Sequence, residues 1–314
     1  MTLPGVVGEV MGVPSLRSRA LSAALIASGR RRRWASAAAV HAEVAAGSRR
    51  PASHLPPRSL ARVAALSRTI VGAWPVYDVS PRVGEPAARV LYLHGGGFIH
   101  ELVRPHWSLI RTLVTGAGAR CVVPAYTLAP RGTADRTVPV AADLLSGLIA
   151  GGGPGGTVLV GDSAGAGLAL AAAQRLRDRT GASPSRIVLI SPWLDMSMTH
   201  PDQAAIEPHD PMLARAGLRE AGRLYAGTLE PADPRVSPLY GELAGLPPVT
   251  VFTGTRDVLG TDARELLARA RAAGVEVDFH EAPGQAHNYP LLPVPEGRAA
   301  RDRLVELVRT APEC

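Results

Sequence analysis

Lysine is absent from this chain of 314 residues, so arginine supplies all 34 of its permanently positive side chains. Because alanine, glycine and arginine are all abundant, the absence indicates codon bias more than a chemical requirement. The formal net charge of +7 is unevenly distributed, with +9 in residues 1–68 and −2 in residues 69–314. The body of the chain therefore lacks the positive charge that is typical of nucleic-acid-binding domains.

Cysteine and aromatic residues are also scarce. The two cysteines, Cys121 in an apolar run and Cys314 at the end of the chain, cannot form a disulfide framework. This usage fits a reducing compartment, so we predict a cytoplasmic location. Before position 74 the only Phe, Tyr or Trp is Trp34. Such poverty disfavours a sugar-stacking platform and also single-stranded nucleic acid, which usually binds through aromatic stacking.

Long apolar runs are missing as well. The run Leu21–Ala27 has seven residues, against the ~20 that a membrane-spanning helix needs. Arg30–Arg33 follow this run, whereas a secretory signal carries its positive charges before its apolar core. We therefore expect no transmembrane segment. Residues 15–46 predict one or two helices, in which Arg30–Arg33 form a solvated face or contact a membrane surface or an acidic partner.

From about Trp74 onward, the chain alternates apolar runs with amphipathic segments. The runs predict strands at 76–79, 89–93, 119–123, 157–160, 186–190, 249–253 and 275–281. Helical spacing predicts helices at 105–114, 138–150, 164–179, 262–273 and 298–310. An irregular stretch rich in Pro and Asp separates two of the strands, at 191–238. The alternation is typical of an α/β fold with a mostly parallel central sheet and helices on both faces.

The strongest chemical signal is the segment Thr157–Ala173, read as TVLVGDSAGAGLALAAA. An apolar strand runs directly into Gly161-Asp162-Ser163-Ala164-Gly165 and then into a helical pattern, which is the context of a nucleophile elbow. Residues without side chains are needed at 161 and 165, because neighbouring backbone passes very close to such a turn. The following helix directs its unpaired N–H groups at any anion that forms beside Ser163.

A second glycine-rich segment follows the strand 89–93. It reads His94-Gly95-Gly96-Gly97, and we call residues 94–97 the glycine loop. Three successive residues without side chains allow the backbone N–H groups to turn toward a developing oxyanion. An HGGG-type loop that precedes a G-x-S-x-G elbow is the arrangement found in α/β-hydrolase lipases and esterases.

A serine nucleophile needs a base, and the base needs an acid to orient it. These groups should lie after strands, at the carboxyl edge of the sheet. His287 follows the last predicted strand, whereas its rival His280 lies within that strand. Asp257 follows strand 249–253. Asp262, at a predicted helix start, and Asp195, in the irregular stretch, remain weaker alternatives for the acid.

With these motifs in place, the chain from about Trp74 to Thr310 resembles the hormone-sensitive-lipase-like (family IV) carboxylesterases of the α/β-hydrolase fold. HGGG at 94–97 and GDSAG at 161–165 are the two signatures. Tyr126-Thr127-Leu128-Ala129-Pro130 and Ser191-Pro192-Trp193-Leu194-Asp195 are similar to further motifs of the family. Ala166 stands where the family usually has a second glycine, and Asp262 lies one position further from Asp257 than is common.

The resemblance implies a role for each motif residue. Ser163 would be the nucleophile, Asp257 the acid and His287 the base. The backbone N–H groups of Gly96, Gly97 and Ala164 would form the oxyanion hole. Five further motif residues would support the site: His94, Gly95, Gly161, Asp162 and Gly165. The family's helical cap would comprise an N-terminal segment, residues 1–70, and a cap insert at about 196–235 within the core domain 71–314.

The implied function is a serine carboxylesterase that hydrolyses short- to medium-chain acyl esters without a metal or cofactor. An amidase or deacetylase acting on an acylated metabolite, and a non-catalytic small-molecule binding protein on the same fold, remain alternatives. A homo-oligomer and a peripheral membrane contact of the basic N-terminus are also left open. If Leu21, Leu25 and Val40 line the inner face of a lid, deleting residues 1–45 should change acyl-length preference and retain chemistry on the smallest esters.

Overall fold

The computed structural model describes residues 13–152 and 156–311, so Cys314 and the first twelve residues lie outside the description. The strands form an eight-stranded sheet in the order β1-β2-β4-β3-β5-β6-β7-β8. Its first two strand pairings, β1 with β2 and β2 with β4, are antiparallel, and the remaining pairings are parallel. The bounds are β1 (Ala64–Val71), β2 (Trp74–Pro81), β3 (Ala88–Leu93), β4 (Ala119–Pro124), β5 (Thr157–Asp162), β6 (Arg186–Ile190), β7 (Val249–Gly254) and β8 (Val277–Ala282).

One strand was not predicted from the sequence. The sheet begins at Ala64, whereas the sequence pattern predicts that the body begins near Trp74. β1 is an edge strand in which Ala64 is the only fully buried residue, so neither an apolar run nor an alternation marks it. The predicted boundary between the N-terminal segment and the core, at residue 70, therefore falls inside this strand.

Helices cover both faces of the sheet. Their bounds are α1 (Leu16–Ala27), α2 (Ala37–Arg49), α3 (Arg104–Ala117), α4 (Ala134–Ala150), α5 (Ala164–Thr180), α6 (Gln203–Ile206), α7 (Arg215–Ala226), α8 (Gly260–Ala272) and α9 (Pro295–Arg309). Side chains of β3 alternate between the faces: Val90 joins the core under α3 and α9, and Leu91 joins the core under α4, α5 and α8. This α/β-hydrolase architecture is the predicted fold class.

The N-terminal segment packs onto the cap insert and the core. Its helix α2 contacts α7, and a 3₁₀ turn at Arg30–Trp34 lies between α1 and α2. The backbone N–H of Ser15 and the hydroxyl of Ser18 donate to the carboxylate of Glu296 on α9, at 2.6 and 2.7 Å. The segment is therefore attached to the core at its described start as well as covering it.

In the N-terminal segment, the residues that are buried agree in part with those that the predicted lid would bury. Leu25 and Val40 are buried and Leu21 is half-buried. Arg30, Arg32 and Arg33 are exposed, but Arg31 donates from Nε to the carbonyl oxygen of Leu213 in the cap insert, at 3.1 Å. Among the described helices, none is long and apolar enough to cross a membrane.

Candidate active site

Ser163 occupies a strained turn between β5 and α5. Its backbone angles, φ of 54° and ψ of −121°, lie outside the regions that residues with a side chain ordinarily adopt. A Cβ at Gly161 would lie 2.4 Å from the carbonyl oxygen of Gly165, and one at Gly165 would lie 2.1 Å from that of Leu93. Both positions therefore require glycine, as the elbow motif predicts.

His287 connects Ser163 to Asp257. Its Nε2 lies 3.0 Å from Ser163 Oγ, and its Nδ1 lies 2.9 Å from Asp257 Oδ2. All three side chains are buried. The loops after β7 and β8 approach closely, because Gly254 lies where a Cβ would be 2.3 Å from the carbonyl oxygen of Gln285. When Nδ1 donates to the carboxylate, Nε2 is free to accept the serine proton.

The rival residues lie elsewhere. Asp262 Oδ2 accepts the backbone N–H groups of Leu194 and Asp195, at 2.8 and 2.9 Å. Asp195 itself accepts from the hydroxyl of Tyr240, at 2.9 Å. His280 stacks on Phe252 with a centroid distance of 4.8 Å. In the described structure, Asp257 is the aspartate whose side chain contacts His287 directly.

Charge controls the protonation of His287. Burial alone would lower its pKa, but the negative charge and hydrogen bond of Asp257 raise it. Asp210 and Asp162 add further negative charge, and the net result is a pKa above the ordinary histidine value. The surroundings of the imidazole thus favour the imidazolium that forms when it takes a proton.

The glycine loop lies beside Ser163. Gly96 and Gly97 have φ values of 124° and 61°, which favour glycine. Within the described structure, the backbone N–H groups of Gly96, Gly97 and Ala164 donate to no protein acceptor. Unpaired donors at the start of α5 and in this loop are suited to binding an anion.

His94, the first residue of the glycine loop, is held in place by Tyr126. Its ring stacks on Tyr126 with a centroid distance of 4.2 Å, and the Tyr126 hydroxyl donates to the His94 carbonyl oxygen at 2.7 Å. Burial lowers the pKa of His94 to about 3, so the ring is neutral. Tyr126 belongs to the YTLAP motif, which is thereby connected to the glycine loop.

Asp162 joins the three loops of the site, a role that the elbow motif does not reveal. Its Oδ1 accepts from Tyr92 and from the backbone N–H of Gly95, at 2.6 and 2.9 Å. Its Oδ2 accepts from Asn288 Nδ2 at 2.8 Å and lies 3.5 Å from His106 Nε2. Burial alone would raise the pKa of Asp162, but His106 and these donors lower it to about 2. The carboxylate is therefore charged.

Asp210 is a cap-insert residue beside the site that was not predicted from the sequence. Its Oδ2 accepts the backbone N–H of Val258, the residue after Asp257, at 2.9 Å. Its Oδ1 accepts from Met212 and Leu213 at 2.8 and 2.9 Å. Burial, followed by repulsion from Asp257, raises the pKa of Asp210 to about 6. No local motif marks this residue, because its partner lies 48 positions away.

A cavity of about 1060 Å³ lies beside the glycine loop. It is bounded by α2, by residues 49–54 and by residues 125–131, and Ile99 and His100 reach it from the core side. Ser163 is not among its lining residues. Within the described residues, no three or more His, Cys, Asp or Glu side chains group so that they could hold a metal ion.

Comparisons with known proteins show the family to which this chain belongs. A family profile described as the alpha/beta hydrolase fold matches residues 90–291. An acetyl-hydrolase of Streptomyces hygroscopicus is 37% identical over 227 residues, covering 71% of this chain and 75% of that protein. A crystal structure of a bacterial esterase of the hormone-sensitive lipase family has a TM-score of 0.79 at 28% identity, covering 96% of this chain and 99% of that one. This chain belongs to the hormone-sensitive-lipase-like (family IV) α/β hydrolases.

A family IV hydrolase of this kind is a carboxylic ester hydrolase. An esterase of Acinetobacter venetianus is 30% identical over 221 residues, covering 69% of this chain and 73% of that protein. The matched region of the family profile includes the glycine loop, the elbow and both loops that carry Asp257 and His287. The family membership and these relatives decide between the alternatives: the chain is an enzyme and not a non-catalytic binding protein.

Proposed function

We propose that this family IV hydrolase is a serine carboxylesterase that acts on short- to medium-chain acyl esters through Ser163, His287 and Asp257. The contact between Ser163 Oγ and His287 Nε2, at 3.0 Å, carries the proposal. A buried serine hydroxyl in contact with a histidine, whose other nitrogen contacts a carboxylate, is the arrangement that activates a serine nucleophile.

In the proposed reaction, Ser163 Oγ attacks the acyl carbon while His287 Nε2 takes its proton. The N–H groups of Gly96, Gly97 and Ala164 stabilise the resulting oxyanion. The tetrahedral intermediate collapses when His287 returns the proton to the departing alcohol, which leaves an acyl ester on Ser163. Water, deprotonated by His287, then attacks this ester and releases the carboxylic acid and the free serine.

The Ser163→Ala variant tests this assignment. We expect a rate loss on the order of 10⁴–10⁶ on p-nitrophenyl butyrate, because triad residues act as a unit. Labelling the wild-type protein with diethyl p-nitrophenyl phosphate should add one diethylphosphoryl group to the peptide that contains Ser163, as read by mass spectrometry. Residual activity within about tenfold of wild type, or labelling elsewhere, would rule out Ser163 as the nucleophile.

A second candidate is an amidase or deacetylase that acts on an acylated metabolite. It is favoured by the relative that is named an acetyl-hydrolase, at 37% identity. Hydrolysis of p-nitrophenyl acetate and of p-nitroacetanilide, which share the acetyl group, separates an amidase from an esterase. An ester-to-amide ratio of kcat/KM near unity would favour the amidase, and a large excess for the ester would favour the carboxylesterase.

We also keep the cytoplasmic location, a homo-oligomer and a membrane contact of Arg30–Arg33 as proposals. Exposed arginines at positions 30, 32 and 33 support the last of these. Co-sedimentation with vesicles rich in anionic phospholipid tests it, because electrostatic binding of this kind is lost at high salt.

A further inference from the structure

Trp34 lies between the cap insert and the glycine loop. Its indole rests on Gly97, where a Cβ would lie 2.3 Å from Trp34 Cη2 and 3.0 Å from Cζ3. On the opposite side, its backbone rests on Gly217 of α7, where a Cβ would lie 2.4 Å from the Trp34 carbonyl oxygen. Both approaches need glycine, so the indole is held in one place by close backbone contacts.

His100 forms a second contact between the N-terminal segment and the glycine loop. Its Nδ1 lies 3.1 Å from the carbonyl oxygen of Gly96, and its Nε2 lies 3.1 Å from Glu43 Oε2 on α2. The ring centroids of His100 and Trp34 are 5.7 Å apart. Two neighbouring glycines of the loop are therefore contacted by one connected group of side chains.

The glycine loop needs such support. Successive glycines lose more conformational freedom on ordering than any other residues, so their N–H directions depend on contacts with the surroundings. The turn that follows supplies some of these, because the Gly96 carbonyl oxygen accepts the backbone N–H groups of Ile99 and His100 at 3.1 and 3.0 Å. From the core, Asp162 Oδ1 accepts the N–H of Gly95 at 2.9 Å. Gly96 and Gly97 lie further along. The N-terminal segment contacts Gly97 directly through Trp34, and it contacts Gly96 through Glu43 and the core residue His100.

We propose that Trp34 is a positioning residue for the glycine loop, so that the N-terminal segment forms part of the catalytic apparatus and is not only a cover. The inference rests on the proposed function, in which the N–H groups of Gly96 and Gly97 bind the oxyanion. Trp34 acts through Gly97: with the indole in place, the loop N–H groups stay aimed at the oxyanion position. This role predicts that deleting residues 1–45 lowers the rate even on acetate esters, contrary to the lid expected from the sequence.

The test compares Trp34→Ala with Trp34→Phe, and uses Leu60→Ala as a packing control, because this buried residue of the N-terminal segment packs in the core under α3 and α9 whereas Trp34 packs against the other core. Displacing a preorganised donor costs about 10–100-fold when the donor is misplaced rather than removed. We expect Trp34→Ala to lower kcat by this factor equally on p-nitrophenyl acetate, butyrate and octanoate, with KM nearly unchanged. Trp34→Phe should recover most of the rate, and Leu60→Ala should keep it.

A transition-state analogue distinguishes positioning from substrate binding. An aryl trifluoromethyl ketone forms a tetrahedral oxyanion adduct with an active serine, so its inhibition constant should rise in Trp34→Ala by the factor lost in kcat/KM. Inhibition by butyrate, whose planar carboxylate forms no tetrahedral adduct with the serine, should change little. Changes confined to KM and to chain-length preference would overturn the proposal and make Trp34 only a wall of the substrate site. An equal loss of kcat in Leu60→Ala would also overturn it.

Two further measurements cover the remaining outcomes. If Trp34→Ala does not fold, as judged by circular dichroism, Glu43→Gln replaces it. That change removes the carboxylate that contacts His100 but keeps the size of a half-exposed side chain, and kcat should fall by about two- to fivefold with KM unchanged. An unchanged kcat would overturn the proposal. If wild-type Ser163 is not phosphorylated by diethyl p-nitrophenyl phosphate, the proposed function fails instead.

Discussion

Asn288 donates from Nδ2 to Asp162 Oδ2 at 2.8 Å, which joins the residue after His287 to the residue before Ser163. The backbone N–H of Asn288 also donates to Ser191 Oγ at 2.9 Å, and its φ of 55° is left-handed. Two chain segments that are 126 positions apart are thereby held at a fixed separation beside the contact between Ser163 and His287.

The Asn288 side chain and its backbone conformation can be tested separately. Asn288→Gly keeps the left-handed conformation and loses the amide, so we expect the free energy of unfolding to fall by about 1–2 kcal/mol and kcat by about tenfold. Asn288→Ala adds the cost of a left-handed alanine, about 1 kcal/mol more. Urea unfolding and kcat on p-nitrophenyl butyrate measure both. Equal stability of the two variants would show that backbone strain contributes nothing.

Replacing the two candidate acids should give opposite results. Asp257→Asn removes the charge beside His287 Nδ1, and we expect a rate loss of roughly 10⁴. Asp262→Asn should retain activity, because an amide oxygen can still accept the N–H groups of Leu194 and Asp195. Initial rates with p-nitrophenyl butyrate compare them. A reversed order would mean that Asp262 serves as the acid in solution.

The Asp262 carboxyl should also affect stability. Burial raises its pKa to about 7, so the folded protein holds this proton at pH values where the unfolded chain has lost it. Stability should therefore fall as the pH rises from about 4 to about 7, and Asp262→Asn should lack this contribution. Asp262→Ala leaves two buried N–H groups without an acceptor and should cost about 1–3 kcal/mol for each. Thermal unfolding across this pH range gives the comparison.

The acid limb of the pH profile should report on His287. The base must be neutral to accept the serine proton, and Asp257 raises its pKa above 6.5 despite burial. We therefore expect kcat/KM to fall with decreasing pH at a midpoint above 6.5. The measurement uses an ester whose leaving alcohol does not titrate in this range. A midpoint below 6.5 would contradict the prediction.

Asp210, in the cap insert, should also affect the acid limb of the pH profile. Its charge contributes to the raised pKa of His287, so Asp210→Asn should move the acid-limb midpoint to lower pH. The amide keeps one acceptor oxygen, so either the contact with the N–H of Val258 or the contacts with Met212 and Leu213 are lost. This loss should reduce kcat by up to about tenfold, because small displacements of catalytic groups are costly. Glu207→Gln, elsewhere in the cap insert, is the control. If both variants shift the limb equally, the effect does not come from Asp210.

Several features of this protein could be predicted because their physical cause is local. The turn at Ser163 needs glycines at 161 and 165 a few residues away, and the glycine loop is marked by its own composition. The parallel strands from β3 onward are buried apolar runs, so their order along the chain was readable. The fold class and the family of esterases followed from these short patterns.

Only the tertiary structure decided the long-range contacts. Asp257 contacts His287, whereas Asp262 accepts backbone N–H groups and Asp195 accepts from a tyrosine. Which aspartate contacts the histidine depends on how two loops meet at the edge of the sheet. The same holds for Asp210 beside Val258 and for Trp34 on Gly97, because a contact across 48 or 63 positions leaves no periodic trace in the sequence. Edge strand β1 was not predicted for a related reason. Its mostly exposed side chains show no burial pattern, and the strand is defined by its pairing with β2.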